Sequence, residues 1–222
     1  MKLLIIAAVI SGAIIALWII GRLTRALRIH RVKNPANEPT IRPGKFILTT
    51  NLKKPRRFDL VTYRTVVPPG GMTTLTHRLC GLPGDLLEIK AGVLYVNGQD
   101  ADKSLKLQHI FKMPAEDSVA ITYDEKQAYT IPPYTNTLYI ALEAGRVKRE
   151  KLNCERYILP RGLRDEDIYS AFRQNWNRDH FGPLRVPQGK WFLLGDNREN
   201  SRDSRYLGLI EQSKYVGTVM WK

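Results

Sequence analysis

Residues Leu3 to Ile20 read LLIIAAVISGAIIALWII, an apolar block broken only by Ser11 and Gly12. At roughly 1.5 Å per residue a helix of that length spans about 27 Å, close to a hydrocarbon core. A cleaved leader has a shorter apolar region, and no small-x-small site follows this block before Arg22. The expectation is an uncleaved N-terminal anchor over 1–21.

Positive charge follows the anchor. The chain of 222 residues carries a formal net charge of +14. Between Arg22 and Arg64 the only acids are Glu38 and Asp59, against a run of arginines and lysines that starts with Arg22, Arg25, Arg28, Arg31 and Lys33. Starting where the apolar block ends, this run suits anionic headgroups better than nucleic acid, so membrane lipid is an expected partner and nucleic acid is not. Lys53 to Arg57 reads equally as a solvated basic face. The positive-inside rule, applied to Arg22 through Lys33, places the soluble part in the cytoplasm. That conflicts with the motifs described below.

The rest of the chain is patterned as strands. Phe58–Val66 and Thr74–Leu79 alternate apolar and polar residues. Leu86–Ile89 and Val93–Val96 flank Lys90-Ala-Gly92 as a hairpin. Val119–Tyr123, Leu138–Leu142, Trp191–Leu194 and Tyr215–Trp221 are further strand candidates. Glu150–Ile158 and Asp165–Phe172 are expected to be short helices, and Pro68–Gly71 and Pro132-Pro133 mark loops. The expected organisation is an anchor (1–21), a mainly β catalytic domain (22–98 and 186–222) and an inserted smaller lobe (99–185).

Two cysteines, Cys80 and Cys154, cannot make a disulfide scaffold. The four histidines never fall at metal-ligand spacing, and no phosphate-binding glycine motif occurs, so neither a metal nor a cofactor is expected. The chemistry sits in three stretches: Asn34-Pro-Ala-Asn-Glu-Pro-Thr-Ile-Arg-Pro-Gly44, His77-Arg-Leu-Cys-Gly-Leu-Pro-Gly-Asp85 leading to Gly92-Val-Leu-Tyr-Val-Asn-Gly98, and Gly195-Asp-Asn-Arg-Glu-Asn-Ser-Arg-Asp-Ser-Arg205. The last is a dense polar turn delivered by the apolar Trp191–Leu194, a common way to present an active site.

With the anchor, and in this order, these stretches resemble the type I signal peptidases, membrane-bound serine endopeptidases. The resemblance implies a signal-peptidase-like β catalytic domain with an inserted lobe, one N-terminal transmembrane helix, and a catalytic domain outside the cytoplasmic membrane. It implies removal of signal peptides from exported preproteins after a small-x-small site. In that mechanism a serine three residues before the Pro of Pro-Thr attacks the scissile carbonyl. A neutral base just before the Arg of the second motif takes its proton, and a serine in the last motif hydrogen-bonds the base.

Carried onto this sequence, the nucleophile position is Ala36, which has no hydroxyl. No other register supplies one, because Gly12 to Lys103 contains no serine. Ala36 has two readings: a serine replaced to block turnover, or a naturally silent member that binds signal peptides or regulates an active paralogue. The base position is His77, where bacterial members mostly carry lysine and endoplasmic-reticulum relatives carry histidine. An imidazole near its ordinary pKa of about 6.5 is already mostly neutral at pH 7. It calls for an orienting carboxylate on its other nitrogen, with Asp203 preferred over Asp196. Ser201 matches the base-orienting serine. Asn34 is placed to help an oxyanion hole, and Leu75 to line a substrate pocket. Thr40, Arg78, Gly84, Asp85, Asp196, Asn197, Arg198 and Arg205 are expected to be structural, with Arg205 pairing Asp203 and Gly44 and Gly84 serving as turn residues. The substrate is expected to bind as an added strand.

Overall fold

A computed structural model describes residues 1–23, 26–120, 128–129 and 136–221. Helix α1 (Lys2–Leu23) contains the apolar block, and its residues from Leu4 to Ile20 are exposed. A helix that is apolar all round is long enough and greasy enough to cross a bilayer. After it, strands outnumber helices among the regular elements.

The largest sheet has seven strands in the order β1 (Leu27–Arg31), β2 (Phe46–Thr50), β15 (Tyr215–Trp221), β3 (Leu60–Val66), β4 (Met72–Gly81), β13 (Lys190–Leu194) and β14 (Ile210–Glu211). Every neighbouring pair runs antiparallel. Its central strands are rich in β-branched and aromatic residues, which suit a half-buried pleat. Register pairs Val61 with His77 and Tyr63 with Leu75. The two-residue period therefore sets Val61, Tyr63, Leu75 and His77 on one face, with Tyr63 and His77 diagonal neighbours. Beneath that face Val61, Tyr63, Leu79, Trp191, Leu193 and Ile210 form a core against which Leu75 packs.

A second sheet joins β12 (Phe181–Arg185), β5 (Leu86–Lys90), β6 (Val93–Val96) and β7 (Gln99–Asp100), and a third joins β11 (Glu155–Arg156), β8 (Gln108–Pro114), β10 (Thr137–Glu143) and β9 (Ala128–Tyr129). Residues of the 99–185 interval pack in two different cores. Helix α3 (Glu166–Phe172), Trp176 and Phe181 lie in the same core as Leu87, Leu94, Phe192 and Leu194. The separate core of the lobe is built from Phe111, Met113, Ile140 and Leu142. Apolar residues late in the interval, not its polar average, decide where the chain rejoins the main body.

The expected helix over Glu150–Ile158 is also corrected. Helix α2 covers Ala144–Glu150 and ends where Lys151 takes a left-handed conformation, after which Leu152 and Cys154 turn to the lobe core and β11 pairs with β8. The Asp165–Phe172 helix is present as α3, its first amides capped by the Asp165 carboxylate. Of Val119–Tyr123, the first two residues end a 3₁₀ turn (Ala115–Ala120), while 121–123 and the Pro132-Pro133 loop lie outside the described residues. So do the side chains of Arg22 and Arg25.

Candidate active site

The Asn34–Gly44 segment follows β1 and crosses the sheet above β4 and the polar turn after β13. Two ties hold it there. The Asn197 backbone N–H donates to the Ala36 carbonyl at 3.0 Å. The Asn37 side-chain amide donates to the Thr76 carbonyl at 2.6 Å. Within the segment, the Ala36 N–H points at the Asn34 side-chain oxygen at 3.4 Å. Gly195 makes this approach possible: a Cβ there would overlap both the Ala36 carbonyl oxygen and the Ser201 hydroxyl. Gly84 turns the chain into β5 with a φ of +90°, and Gly44 closes the first segment at +85°.

Ala36, His77 and Ser201 come together at one corner. Ser201 Oγ lies 3.3 Å from His77 Nε2. Ala36 and Ser201 line a cleft of about 370 Å³ with Asn34, Asn200 and Tyr206. Position 36 offers this corner only a methyl group. His77 is 1% exposed, and burial above all lowers its pKa to about 4, with Arg205 also lowering it and Asp203 and Asp196 acting the other way. The ring is neutral at pH 7.

The orienting group on the ring is not the expected carboxylate. His77 Nδ1 is 2.8 Å from the hydroxyl of Tyr63. Asp203 is occupied elsewhere: it accepts from Arg205 Nε at 2.9 Å, from Arg205 Nη2 at 2.8 Å and from the Gly195 N–H at 3.0 Å. Its pKa is held low, against the opposing effect of burial, chiefly by the charge and hydrogen bonds of Arg205. Asp196 accepts from Arg78 Nε at 2.6 Å. Both acids act on the ring only through space.

The remaining motif residues build the frame. Arg78 also donates to the Phe58 carbonyl at 2.6 Å, and Thr40 lies at the edge of its reach at 3.5 Å. Arg198 pairs with Asp102 and donates to the Gly195 carbonyl at 3.2 Å. Asp85 accepts from Arg57 at 2.7 and 3.0 Å, from Asn97 at 2.9 Å and from the Leu82 N–H at 2.6 Å. Arg57 is thus a motif partner rather than part of a solvated basic face. Sequence reasoning also missed Tyr63 and Asp102. For Tyr63 a signal existed, since two alternating strands joined by a Pro-Gly turn fix which residues share a face with His77. Asp102 carried none.

Beside this corner runs a groove of about 490 Å³ between β1 and the first half of β4, lined by Ile29, Val32, Asn34, Asn37, Leu75 and Thr76 among others. β13 pairs with β4 only from Arg78 onward. On that side the backbone of Met72–Thr76 meets no strand among the described residues.

The chain thus joins an antiparallel β body, a buried histidine–serine corner at the meeting of three sequence motifs and an N-terminal helix compatible with membrane anchoring. The family model for signal peptidase, peptidase S26, matches residues 2–222, and the chain belongs to that family. A signal peptidase IB of Staphylococcus aureus (strain COL) is 24% identical over 222 residues, covering 96% of this chain and 85% of that protein. The signal peptidase I of Buchnera aphidicola subsp. Baizongia pistaciae is 25% identical over 221 residues, covering 82% of this chain and 65% of the relative's length. A crystal structure of a signal peptidase I from Enterococcus faecalis V583 aligns with a TM-score of 0.37 at 24% identity, covering 75% of this chain and 97% of that one.

Proposed function

We propose that this protein receives the small-x-small end of a signal peptide as an added strand and, with alanine at position 36, holds it without cutting it. The observation that carries this reading is the composition of the corner: a neutral histidine and a serine converge where the family chemistry takes place, and the position that would attack offers a methyl. The groove runs along Met72–Thr76, which β13 leaves unpaired and where the Asn37 amide already takes the Thr76 carbonyl, so the backbone before Thr76 is the edge offered to a peptide strand, and Leu75 and Ile29 give it apolar walls. Donation to an oxyanion would fall to the amide nitrogen of Asn34, whose oxygen already faces the Ala36 N–H.

Topology is part of the proposal. The anchor is retained, and the domain faces away from the cytoplasm, because substrate arrives there and three ordered motifs outweigh a statistical charge rule. Arg28 and Arg31 on β1, close behind the anchor, suit contact with anionic lipid headgroups. The test is a pair of measurements on the full chain in detergent. A labelled peptide with an Ala-x-Ala site is expected to bind saturably and stay intact, and external protease is expected to digest the domain in spheroplasts. A domain protected until the membrane is broken would refute the orientation, and a peptide that never binds would refute the substrate.

A further inference from the structure

A neutral imidazole carries one N–H and one lone pair, so one of its nitrogens donates and the other accepts. Both partners of His77 are hydroxyls, Tyr63 on Nδ1 at 2.8 Å and Ser201 on Nε2 at 3.3 Å, and a hydroxyl does either. The surroundings decide between the two tautomers. Tyr63 is 0% exposed, and its hydroxyl has no other partner among the described residues. Nδ1 is therefore the one acceptor for the phenol proton. If Nδ1 carried hydrogen, that proton would be stranded in the core, a state folded proteins avoid. Ser201 has no such constraint, because it lines the cleft beside Ala36, where water can take its proton.

We infer that Tyr63 donates to His77 Nδ1 and fixes the ring as the Nε2–H tautomer, so that the nitrogen facing Ser201 is a hydrogen-bond donor rather than a base. The contrast is with a carboxylate in the same place. A carboxylate only accepts, which puts hydrogen on Nδ1 and leaves Nε2 free to take a proton. Here the nearby carboxylates are committed, Asp203 to Arg205 and Gly195 and Asp196 to Arg78. Burial and the Asp203 charge keep the Tyr63 phenol protonated. Tyr63 is a positioning residue. The inference rests on the site reading above for its functional consequence but not for the tautomer itself. It deepens that reading: the corner is set against catalysis twice, by the missing hydroxyl at 36 and by the proton on Nε2.

The test is two-bond ¹H–¹⁵N correlation on the full chain in detergent at pH 7, with ¹⁵N-labelled histidine. The His77 signals are assigned by their loss in His77→Gln. The Nε2–H pattern is expected for the native chain, and an Nδ1–H pattern would overturn the inference without any variant. Tyr63→Phe, with the other three histidine rings unshifted, is expected to raise the Nδ1–H share, and an unchanged pattern would remove Tyr63 from the account. In a cleavage assay on an Ala-x-Ala peptide, Ala36→Ser/Tyr63→Phe is expected to exceed Ala36→Ser by about tenfold in kcat with KM unchanged. Equal rates for the two would count against the inference. If neither cleaves while the native ring is Nε2–H, the tautomer stands and the peptidase-derived site reading fails.

Discussion

The acids of the motifs and the corner of Ala36, His77 and Ser201 have opposite characters. Asp85, Asp196 and Asp203 are each locked to an arginine, and Asp203 with Arg205 is fully buried. The corner made by Ala36, Tyr63, His77 and Ser201 holds no formal charge of its own at neutral pH. One region is a rigid ionic frame, and the other is a small set of neutral groups that the frame positions. The dense run of charged residues after β13 therefore marks where the site is, while its chemistry depends on residues that look ordinary in sequence.

Breaking the frame should cost most. Asp203→Ala leaves the Arg205 guanidinium buried without its partner and is expected to destabilise the fold by about 3–5 kcal/mol in denaturant titration. A loss under about 1 kcal/mol would mean that the pair is not structural. The corner should show itself next, through pH. The folded pKa of His77 is lowered from 6.5 to about 4, so the unfolded chain takes up this proton first as pH falls. The associated stability is complete above pH 6.5, drains between 6.5 and about 4, and amounts to at most about 3 kcal/mol. Buried His109 is shifted in the same direction, mainly by burial, and adds to the loss as pH falls. His77→Gln is therefore expected to flatten the pH dependence of the unfolding midpoint without abolishing it, and an unaltered slope would place His77 in contact with solvent. For an enzyme restored by Ala36→Ser/Tyr63→Phe, the acid limb of activity should move below the ordinary imidazole range toward pH 4, rather than lie near 6.5 as an unperturbed ring would place it.

Single changes inside the corner should be milder. Ser201→Ala removes one hydrogen bond to a neutral ring and is expected to cost about 1 kcal/mol. At the rim, Lys53→Ala breaks a partly exposed pair with Asp59, 3.1 Å apart, and is expected to change stability by less than about 1 kcal/mol. Should the rim change prove as costly as Asp203→Ala, the contrast between frame and surface would collapse.

What the sequence makes legible follows the same division. Periodicity marks β3, β4, the β5–β6 hairpin, β13 and β15, because each buries one face or two. It does not show that Phe181 and Trp176 return to the main core, since isolated aromatics in a polar stretch have no period. The motifs bring Ala36, His77 and Ser201 to attention and offer Asp203 two partners, Arg205 and the His77 ring, of which the fold takes Arg205. Linear order cannot tell which of two nearby cations or rings a carboxylate will meet. Arg57 and Asp102 are invisible for the same reason: each pairs across the fold with a residue 28 or 96 positions away.

The most direct measurement is single-turnover exposure of a labelled Ala-x-Ala peptide to the full native chain in detergent, with bound and cleaved fractions read from the same sample. A saturable bound fraction and no cleaved product are predicted, because His77 has no hydroxyl at position 36 to deprotonate and carries its proton on the nitrogen facing Ser201. Cleavage by the native chain that is abolished by Ser201→Ala would contradict this prediction, by showing that Ser201 has taken the place of the missing nucleophile.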